Sequence, residues 1–437
     1  MNILFISTDC IAINLARVLQ DEGHSVKLYI KNKDSRRNFD NIVPKVENWK
    51  DYLDWVGKDG LIVFDDVGFG KIQEDLRKKG YNVFGGCELG DKLEQDREFG
   101  QKILREHGLH TVPLHDFDSI DDAACFIKEN PYPWVIKHEG HDAKFLTYVS
   151  LLPDGSDAIS ILRNYFYNPF INDGSNKVTL HKKITGIEIG VGRYFNGQDW
   201  VGPIEINVEH TKMFPGDLGP ITTEMGTLAW YDNDEKNKLF VGVLEKMKPY
   251  LKEIDFRGDF EVNCIVTDNE IYPLEISSRL GTPIVHLHNV LHTSPWGELL
   301  LAIAKGEKYD LKVKSDYGVV NLLATPPFPY GKKHNKDSLY GVNIFFNNLS
   351  EEDFKNVALE DISLRKGGRG NGLYYISNDD GYVAYTSGIG KTIKEARENS
   401  LRIARKIIIP KVFYRDDIGE RFEEKELPLL RKWGYLK

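Results

Sequence analysis

Short apolar runs alternate with segments of helical spacing over the first 90 residues. The apolar runs predict strands at residues 3–6, 26–30, 61–64 and 81–84. Apolar positions recur with helical spacing over residues 11–20 and 71–79, and glycines at Gly23 and Gly80 end these segments. Strands separated by helices of this length indicate a parallel, doubly wound sheet.

The pattern changes after residue 89, where one long helix is predicted over residues 89–106. Strands are predicted further along at residues 131–137, 178–184, 187–194, 255–266 and 270–276, with the last two forming a hairpin across Thr267-Asp268-Asn269. Helical segments follow at residues 296–304 and 393–407, and strands resume from about residue 316. The chain therefore combines an α/β region with α+β regions.

Size and charge narrow the possible functions. The 437 residues suggest two to four domains, and a net charge of −9 gives no electrostatic footprint for nucleic acid or an anionic membrane. Neither a basic leader followed by an apolar run nor a stretch of about 18 apolar residues occurs, so we expect a cytoplasmic protein. The four cysteines have no metal-ligand or redox spacing and are predicted to be small core residues.

A glutamate and an arginine lie close together on one predicted strand. Glu275 is flanked by Leu274 and Ile276, and Arg279 follows four residues later. The glutamate can hold Mg²⁺, and the arginine can bind a phosphate or acyl-phosphate oxygen. A surface ion pair is an equally good interpretation of these two residues alone. The apolar neighbours favour a partly buried strand.

Residues 216–226 form a glycine-bearing segment that is predicted to be a loop. It contains Gly219, Thr222, Thr223, Met225 and Gly226, and such a loop can bring backbone N–H groups close to a ligand. A plain surface loop is the alternative, because glycine-rich loops are common.

Two lysines and one further glutamate are candidates for nucleotide contacts. Lys137 directly follows Trp134-Val135-Ile136 at a strand end, and Lys144 comes seven residues later. Glu188 follows Gly186 between two strands, where a carboxylate can accept hydrogen bonds from ribose hydroxyls. Solvated lysines and a charge at a hairpin end are the alternatives.

Three histidines resemble a metal site at first sight. His286, His288 and His292 are spaced by two and four residues, so neither a helix nor a strand places all three on one face. We expect substrate contacts or residues near a helix N-terminus rather than zinc ligands.

These segments, in this order, resemble the phosphoribosylamine–glycine ligase family of ATP-grasp enzymes. The clearest match is Gly-Pro-Ile-Thr-Thr-Glu-Met-Gly at residues 219–226, which is similar to the family's Gly-Pro-Asn-Thr-Gly-Gly-Met-Gly loop. The other similar segments are Glu-His-Thr-Lys at 209–212, Leu-Glu-Ile-Ser-Ser-Arg-Leu-Gly at 274–281, the helix at 93–99, and Tyr-Arg-Asp-Asp-Ile-Gly at 414–419.

The resemblance implies a role for each matching position. Arg97, Lys137 and Lys144 would contact the ATP phosphates, Glu188 the ribose, and the backbone from His181 through Lys182 to Ile184 the adenine. The implied metal ligands are Glu275, with Ser277 where the family has asparagine, and Asn263 and Glu261 on the neighbouring strand. Arg279 would steady an acyl phosphate, and Lys212 belongs with it to the implied catalytic set. ATP and Mg²⁺ (or Mn²⁺) are the implied cofactors.

Several positions depart from the family pattern. The N-terminal glycine-rich loop is replaced by Ser-Thr-Asp-Cys-Ile-Ala at residues 7–12, and a phosphate-binding loop without glycine is a poor cradle. Thr282 and Ile284 replace two acidic residues, and the glycine-rich lid after Lys137 is altered. These changes fall at the substrate positions.

The resemblance implies an ATP-grasp fold in four parts. Residues 1–90 would form a Rossmann-like domain, 115–190 a lid, 190–315 the metal and phosphate machinery, and 316–437 a small C-terminal α+β domain. We expect an ATP-dependent carboxylate–amine ligase that acts on a small-molecule acid and amine as a monomer or homodimer. The alternatives are a related ligase with a different, possibly nucleotide-derived, substrate pair, or a non-catalytic nucleotide-binding relative.

Overall fold

The computed structural model describes residues 1–137, 147–167, 177–330, 338–366 and 372–437. The helices are α1 Ile13–Asp21, α2 Leu53–Val56, α3 Gly70–Lys78, α4 Glu88–Gln95, α5 Arg97–Glu106, α6 Ile120–Glu129, α7 Ser156–Tyr167, α8 Glu245–Glu253, α9 Ile284–Leu291, α10 Trp296–Lys305, α11 Glu351–Lys355, α12 Ile393–Ala404 and α13 Leu427–Lys432.

The strands lie in three larger sheets and three two-stranded pairs. They are β1 Asn2–Ser7, β2 Ser25–Ile30, β3 Leu61–Phe64, β4 Val83–Phe84, β5 Leu114–Phe117, β6 Trp134–Lys137, β7 Tyr148–Val149, β8 Val178–Lys182, β9 Ile187–Asn196, β10 Trp200–Glu209, β11 Lys212–Phe214, β12 Leu218–Ile221, β13 Gly226–Asp232, β14 Arg257–Val266, β15 Ile271–Ser277, β16 Tyr317–Ala324, β17 Phe345–Phe346, β18 Val357–Leu359, β19 Ile362–Arg365, β20 Leu373–Ile376, β21 Tyr382–Gly390 and β22 Ile407–Ile408.

The N-terminal region is the predicted parallel sheet. Its strand order is β2-β1-β3-β4, and all three pairings are parallel. Strand β1 is an uninterrupted apolar run whose Ile3, Leu4, Phe5 and Ile6 are fully buried. A strand buried on both faces is what helices on the two sides of a parallel sheet produce. The carboxyl ends of β1 and β3 therefore meet at one edge of this region.

The central sheet has eight strands and holds most of the candidate site. Its order is β15-β14-β9-β10-β13-β16-β21-β18, and all neighbours pair antiparallel. A separate sheet, ordered β5-β8-β6-β7, carries α6 and α7 and has its own apolar core around Trp134 and Leu180. This smaller unit lies almost entirely within residues 115–190, the range predicted to form the lid.

The C-terminal region shares the central sheet instead of forming an independent layer. Strands β16, β21 and β18 extend the sheet, and α12 packs on β21 and β16. Thr392 caps α12 by accepting a hydrogen bond from the Glu395 N–H. The region also contacts the N-terminal sheet, where the Phe39 N–H donates to the Ile362 carbonyl at 2.9 Å.

Three local predictions are wrong. The helix predicted over residues 89–106 is two helices, because Asp96 adopts extended backbone angles and its side chain caps α5 at the Phe99 N–H. The loop predicted at 216–226 is wrong in part, because residues 218–221 form strand β12, which pairs with β11, whereas residues 222–225 have no regular structure. Cys125 lies exposed on the outer face of α6, whereas Cys10, Cys87 and Cys264 are buried as predicted.

The consecutive strands predicted at 178–184 and 187–194 are both present, but they belong to different sheets. Within the described parts of the chain, no helix has the length and apolar character needed to cross a bilayer.

Candidate functional site

The register of the central sheet gathers polar side chains onto one face. Asn263 on β14 lies opposite Glu275 on β15 and opposite Gly190 on β9, which in turn pairs with Asn207 on β10. Gly190 has to be glycine, because a Cβ there would approach the Asn207 side-chain oxygen to 2.4 Å. The sheet therefore makes room on this face for amide and carboxylate side chains.

Glu188 lies on the same face of β9, on the floor of an open cleft. The side chain is exposed, yet enough protein surrounds it that desolvation raises its pKa to about 7. The negative charges of Glu209 and Glu275 raise the pKa further, while Lys137 and Arg421 lower it. The predicted ribose ligand and the predicted metal ligand thus share one electrostatic environment.

Two of the predicted phosphate-binding cations lie near His181 on β8. Lys137 ends β6, and Arg97 begins α5. Both are close enough to His181 to lower its pKa, which burial brings down to about 3. Lys137 also lowers the pKa of Glu188, so its charge acts on residues of both the smaller sheet and the central sheet.

The donor set at the end of β14 and β15 fits Mg²⁺. The Asn263 amide nitrogen donates to Glu209 Oε1 at 2.7 Å, and its buried oxygen has no hydrogen-bond partner among the described residues. An amide oxygen beside Glu275 is a suitable neutral ligand for a hard cation. Asn263 and Glu275 are therefore the residues in the predicted metal set best placed to bind Mg²⁺ together.

Protein side chains alone do not form a complete metal centre here. Over the described ranges, no three His, Cys, Asp or Glu side chains are placed to hold one metal ion. Mg²⁺ commonly takes one or two carboxylates and completes its shell with water and substrate phosphates, so this arrangement suits a metal that arrives with a nucleotide.

The other two predicted metal ligands, Glu261 and Ser277, lie two residues away from Asn263 and Glu275 along their strands. Glu261 pairs with Ser277 across β14 and β15, but Glu261 accepts a hydrogen bond from the Asn207 amide at 2.6 Å. Burial raises the pKa of Glu261 to about 7, and the charge of Asp259 adds to the increase. Glu261 is thus already engaged within the protein, while Ser277 remains partly exposed beside Glu275.

Arg279 is held at the end of β15 by contacts with the N-terminal region. Its Nε donates to Glu94 Oε1 at 3.1 Å, and Asp66 and Glu261 add negative charge around it. The resulting pKa is raised above the ordinary arginine value. Arg279 and Glu275 are linked through Glu261, which feels the charges of both residues.

The C-terminal segment 414–419 holds the glycine-bearing hairpin in place through Arg415. Arg415 is fully buried and donates to the Lys212 carbonyl at 3.0 Å and to Asp217 at 2.9 Å. The Lys212 amine donates to the Gly219 carbonyl at 3.2 Å, so this side chain is engaged with its own hairpin. The segment 414–419 therefore anchors the hairpin.

The predicted substrate residues of this hairpin have unequal positions. Thr222 binds the Thr211 carbonyl through both its N–H and its hydroxyl, and Thr223 contacts the Tyr382 hydroxyl. Met225 is fully buried, and Gly226 has no room for a Cβ, which would lie 2.3 Å from the Val320 carbonyl oxygen. Only Gly219 and Thr223 of the predicted set lie exposed.

The segment predicted to bind adenine, residues 181–184, includes the end of β8. Lys182 ends β8, and its amine packs over the Tyr132 ring at 4.2 Å. Ile184 follows the strand and is partly exposed. Lys144 and the altered lid segment lie outside the described residues.

The three histidines occupy helix α9 and the residue after it. His288 and His292 stack with ring centroids 5.4 Å apart, whereas His286 packs against Tyr385 on another side. The hydroxyls of Tyr194 and Tyr231 bond His288 and His292 at 2.9 and 2.7 Å. Burial lowers the pKa of all three imidazoles. No metal group includes them within the described chain.

Several residues that shape the site were not predicted from the sequence. Glu205, Asn207 and Glu209 alternate on β10, and Asp259 on β14 continues the alternation of the predicted Glu261 and Asn263. Polar residues with a period of two inside otherwise apolar strands could have identified this face. Glu94 carried no such signal, because its partners at residues 278 and 279 are distant in sequence.

Comparison with known proteins shows which families this chain resembles. Residues 95–284 match the family model of the phosphoribosylglycinamide synthetase ATP-grasp (A) domain. A phosphoribosylamine–glycine ligase of Clostridium acetobutylicum is 24% identical over 356 residues, which cover 80% of this chain and 81% of that protein.

Two solved structures share the fold. The phosphoribosylamine–glycine ligase of Thermotoga maritima superimposes with a TM-score of 0.71 at 19% identity and covers 96% of this chain and 100% of its own. A biotin carboxylase from Campylobacter jejuni gives 0.62 at 13% identity, with coverage of 99% and 96%.

These matches confirm the predicted fold and the predicted class of enzyme, an ATP-dependent C–N ligase that uses ATP with Mg²⁺ or Mn²⁺. The chain is an ATP-grasp protein that resembles the phosphoribosylamine–glycine ligases.

Proposed function

We propose that this protein joins a carboxylate to an amine through an acyl phosphate made from ATP. The observation that carries the proposal is that Glu188 and Glu275 lie on one face of the central sheet, on the two strands that pair with β14, with Lys137 near enough to lower the pKa of Glu188. A nucleotide needs cations for its phosphates and carboxylates for its metal and ribose, and this cleft offers all of these.

The first step activates the acid. A carboxylate oxygen of the substrate attacks the γ-phosphorus of ATP, the bond from that phosphorus to the β–γ bridging oxygen breaks, and ADP leaves. In phosphoryl transfer the protein contributes mainly position and charge rather than covalent chemistry. Lys137 and Arg97 would hold the phosphates, and Glu188 would accept hydrogen bonds from the ribose.

The second step forms the amide. The amine nitrogen attacks the acyl carbon, the bond from that carbon to the phosphate oxygen breaks, and the nitrogen loses a proton as phosphate departs. Arg279 would steady the acyl-phosphate oxygens in this step. Mg²⁺, held by Glu275 and Asn263, would neutralise phosphate charge. Closure of the lid over the cleft would exclude water from the acyl phosphate.

The identity of the substrate pair distinguishes three versions of the proposal. Phosphoribosylamine and glycine are the pair named for the relatives. A different acid and amine are favoured by the residues after β1, where Ser-Thr-Asp-Cys replaces a glycine-rich phosphate loop. A non-catalytic nucleotide-binding protein is the third version, supported by the serine at position 277.

ADP release with hydroxylamine as the acceptor tests the chemistry without knowledge of the natural amine. Hydroxylamine traps an acyl phosphate as a hydroxamate, so a panel of small carboxylates, glycine included, should reveal at least one acid that gives Mg-dependent ADP and hydroxamate in equal amounts. ATP binding without turnover under any acid would instead identify a non-catalytic protein.

Glu275→Ala is the diagnostic variant. It should abolish Mg-dependent ADP release, because the cleft loses its best-placed metal ligand. Glu253→Ala removes an exposed carboxylate at the end of α8 and should behave as the unmodified protein. A folded Glu275→Ala protein with normal turnover would show that the metal assignment is wrong.

A further inference from the structure

Two glycines leave the centre of β9 without side chains on the face of the central sheet that carries the amide and carboxylate groups. Gly190 pairs with Asn207 on β10 and with Asn263 on β14. Two residues along β9, Gly192 pairs with Glu261 on β14. A Cβ at Gly190 would lie 2.4 Å from the Asn207 side-chain oxygen, and a Cβ at Gly192 would lie 3.4 Å from side-chain carbons of Glu261. Side chains of the two flanking strands therefore lie over β9.

Two side-chain hydrogen bonds cross β9 in opposite directions. The Asn207 amide nitrogen on β10 donates to Glu261 Oε1 on β14 at 2.6 Å. The Asn263 amide nitrogen on β14 donates to Glu209 Oε1 on β10 at 2.7 Å. Each bond joins two strands that do not pair with each other, because β9 lies between them. We refer to these two hydrogen bonds, from Asn207 to Glu261 and from Asn263 to Glu209, as the crossed bridges.

The crossed bridges fix which atom each asparagine presents. A carboxylate accepts hydrogen bonds but does not donate them, so the nitrogen of each amide has to face its glutamate. The side chains of Asn207 and Asn263 are buried, and the oxygen of each amide has no hydrogen-bond partner among the described residues. Turning either amide over would place its oxygen against a carboxylate oxygen. The Asn263 oxygen therefore stays available to a cation.

Glu261 connects the crossed bridges to the end of β15. A Cβ at Gly281 would lie 3.4 Å from Glu261 Oε2, so this oxygen lies against the segment that follows Arg279. The charges of Arg279 and Glu275 both act on Glu261. Its other oxygen, Oε1, is the one that Asn207 holds. A displacement of Glu261 would therefore be felt by the arginine and by the proposed metal ligand.

We propose, on the basis of the function proposed above, that Asn207 is a positioning residue for the proposed metal ligands. By crossing β9 at Gly190, it holds the Glu261 carboxyl, and with it this face of β14, in the geometry in which the Asn263 oxygen receives Mg²⁺. Without the bridge, Glu261 is free to turn and Asn263, two residues along the strand, shifts with it. A misplacement of about 1 Å can cost about a hundredfold in rate, so a residue that acts only through its neighbours still governs turnover.

The gain in nucleotide affinity that Mg²⁺ provides tests this role without turnover. The dissociation constant of a non-hydrolysable ATP analogue is measured calorimetrically with Mg²⁺ and again with EDTA, and the ratio of the two constants is the metal gain. Asn207→Leu removes the donor without adding charge, so it should weaken binding with Mg²⁺ by about tenfold and leave binding in EDTA within about twofold. Asn233→Leu, at an exposed residue after β13, should keep the full metal gain. Equal weakening with and without the metal, or an unchanged metal gain, would overturn the proposal.

A reversed pair separates the bridge from simple packing. In the double variant Asn207→Asp/Glu261→Gln, the amide at position 261 can donate to the carboxylate at position 207, so the bridge and the net charge are both kept. The metal gain of this variant should stay within about threefold of that of the unmodified protein. A double variant that loses as much of the metal gain as Asn207→Leu would contradict the bridging role.

A glycine variant displaces the bridge without removing a polar group. In Gly190→Ala the new methyl group meets the Asn207 amide, whose three nearest atoms lie 2.4–2.7 Å from the Cβ position, so the amide has to leave its place and the loss seen in Asn207→Leu should be repeated. Gly86→Ala is the matched control, because a Cβ at this buried glycine would have its nearest neighbours at 3.5 Å. A folded Gly190→Ala protein with the full metal gain would contradict the proposal.

The hydroxylamine reaction separates this inference from the proposed function. Hydroxamate formation by the unmodified protein, together with an unchanged metal gain in Asn207→Leu and Gly190→Ala, would leave the ligase chemistry standing and overturn the positioning role. A metal gain that depends on Asn207 and Gly190, without hydroxamate from any acid, would support the positioning role and contradict the ligase proposal.

Discussion

Glu94 and Arg279 connect the N-terminal region to the end of the metal-bearing strand. Arg279 Nε donates to Glu94 Oε1 at 3.1 Å, and Glu94 Oε2 accepts from the Ser278 N–H at 2.9 Å. One carboxylate on α4 therefore fixes two consecutive residues after β15. Ser277 and Glu275 lie immediately before them, so the position of the proposed metal ligands depends on this contact.

Glu94→Gln should lower kcat by about tenfold or more while leaving the KM for ATP within about twofold, because geometry rather than nucleotide affinity is disturbed. Steady-state ADP release against ATP concentration measures both constants. Glu98→Gln, an exposed residue of α5, is the matched control. A parallel loss of kcat and thermal stability, with no separation of kcat from KM, would indicate a purely structural role for Glu94.

The affinity for Mg-ATP should fall as the pH is lowered through about 7. Burial and the neighbouring Glu209 and Glu275 raise the pKa of Glu188 to about 7, so protonation below that pH removes a negative charge from the cleft that receives the metal. Calorimetric titrations with a non-hydrolysable ATP analogue and Mg²⁺ between about pH 5.5 and 8.5 measure the effect. Glu188→Gln should flatten this dependence, and an unchanged profile would contradict the assignment.

Arg415→Met should destabilise the protein by about 3 kcal/mol, because it leaves Asp217 and Asp417 without their shared cation and releases the hairpin. The urea unfolding midpoint measures this loss. Arg421 also pairs with Asp217, but it is 43% exposed, so Arg421→Met should cost less than about 1 kcal/mol. Equal effects of the two variants would show that burial does not govern this ion-pair cluster.

Sequence alone predicted the elements whose signal is local. The run at residues 61–64 is β3 to the residue, and the hairpin predicted at residues 255–276 is the β14–β15 pair that carries Asn263 and Glu275. In both segments, apolar residues and turn residues decide the structure without help from distant parts of the chain.

Contacts between distant segments could not be predicted from local pattern. Asp96 was assigned to a continuous helix, although its side chain caps α5 and breaks the segment. Asn38 donates a hydrogen bond to Asp361, 323 residues away in the sequence, and this contact depends on the docking of β19 against residues 38–41. Glu94 was missed for the same reason. The motif resemblance identified candidate site positions. It did not show which of those side chains, such as Glu261 and Lys212, are already hydrogen-bonded within the protein.

The buried Asp65 predicts an unusual pH dependence of stability. Burial, with the charge of Asp66, raises the pKa of Asp65 to about 8, far above the value of about 3.9 expected in an unfolded chain. The folded protein therefore binds more protons than the unfolded chain between these values, and stability falls as the pH rises through this interval. The stabilising contribution is complete below about pH 4 and is lost as the pH approaches and passes about 8.

Asp65→Asn should remove most of this dependence. The amide keeps an oxygen for the Ala12 N–H and carries no charge, so the variant should exceed the unmodified protein in stability by on the order of 2 kcal/mol at pH 8, and should differ little at pH 5. Urea unfolding at the two pH values measures the difference, and Asp51→Asn, an exposed residue, is the control. A variant less stable at pH 8 would show that Asp65 is ionised and compensated by contacts within the protein.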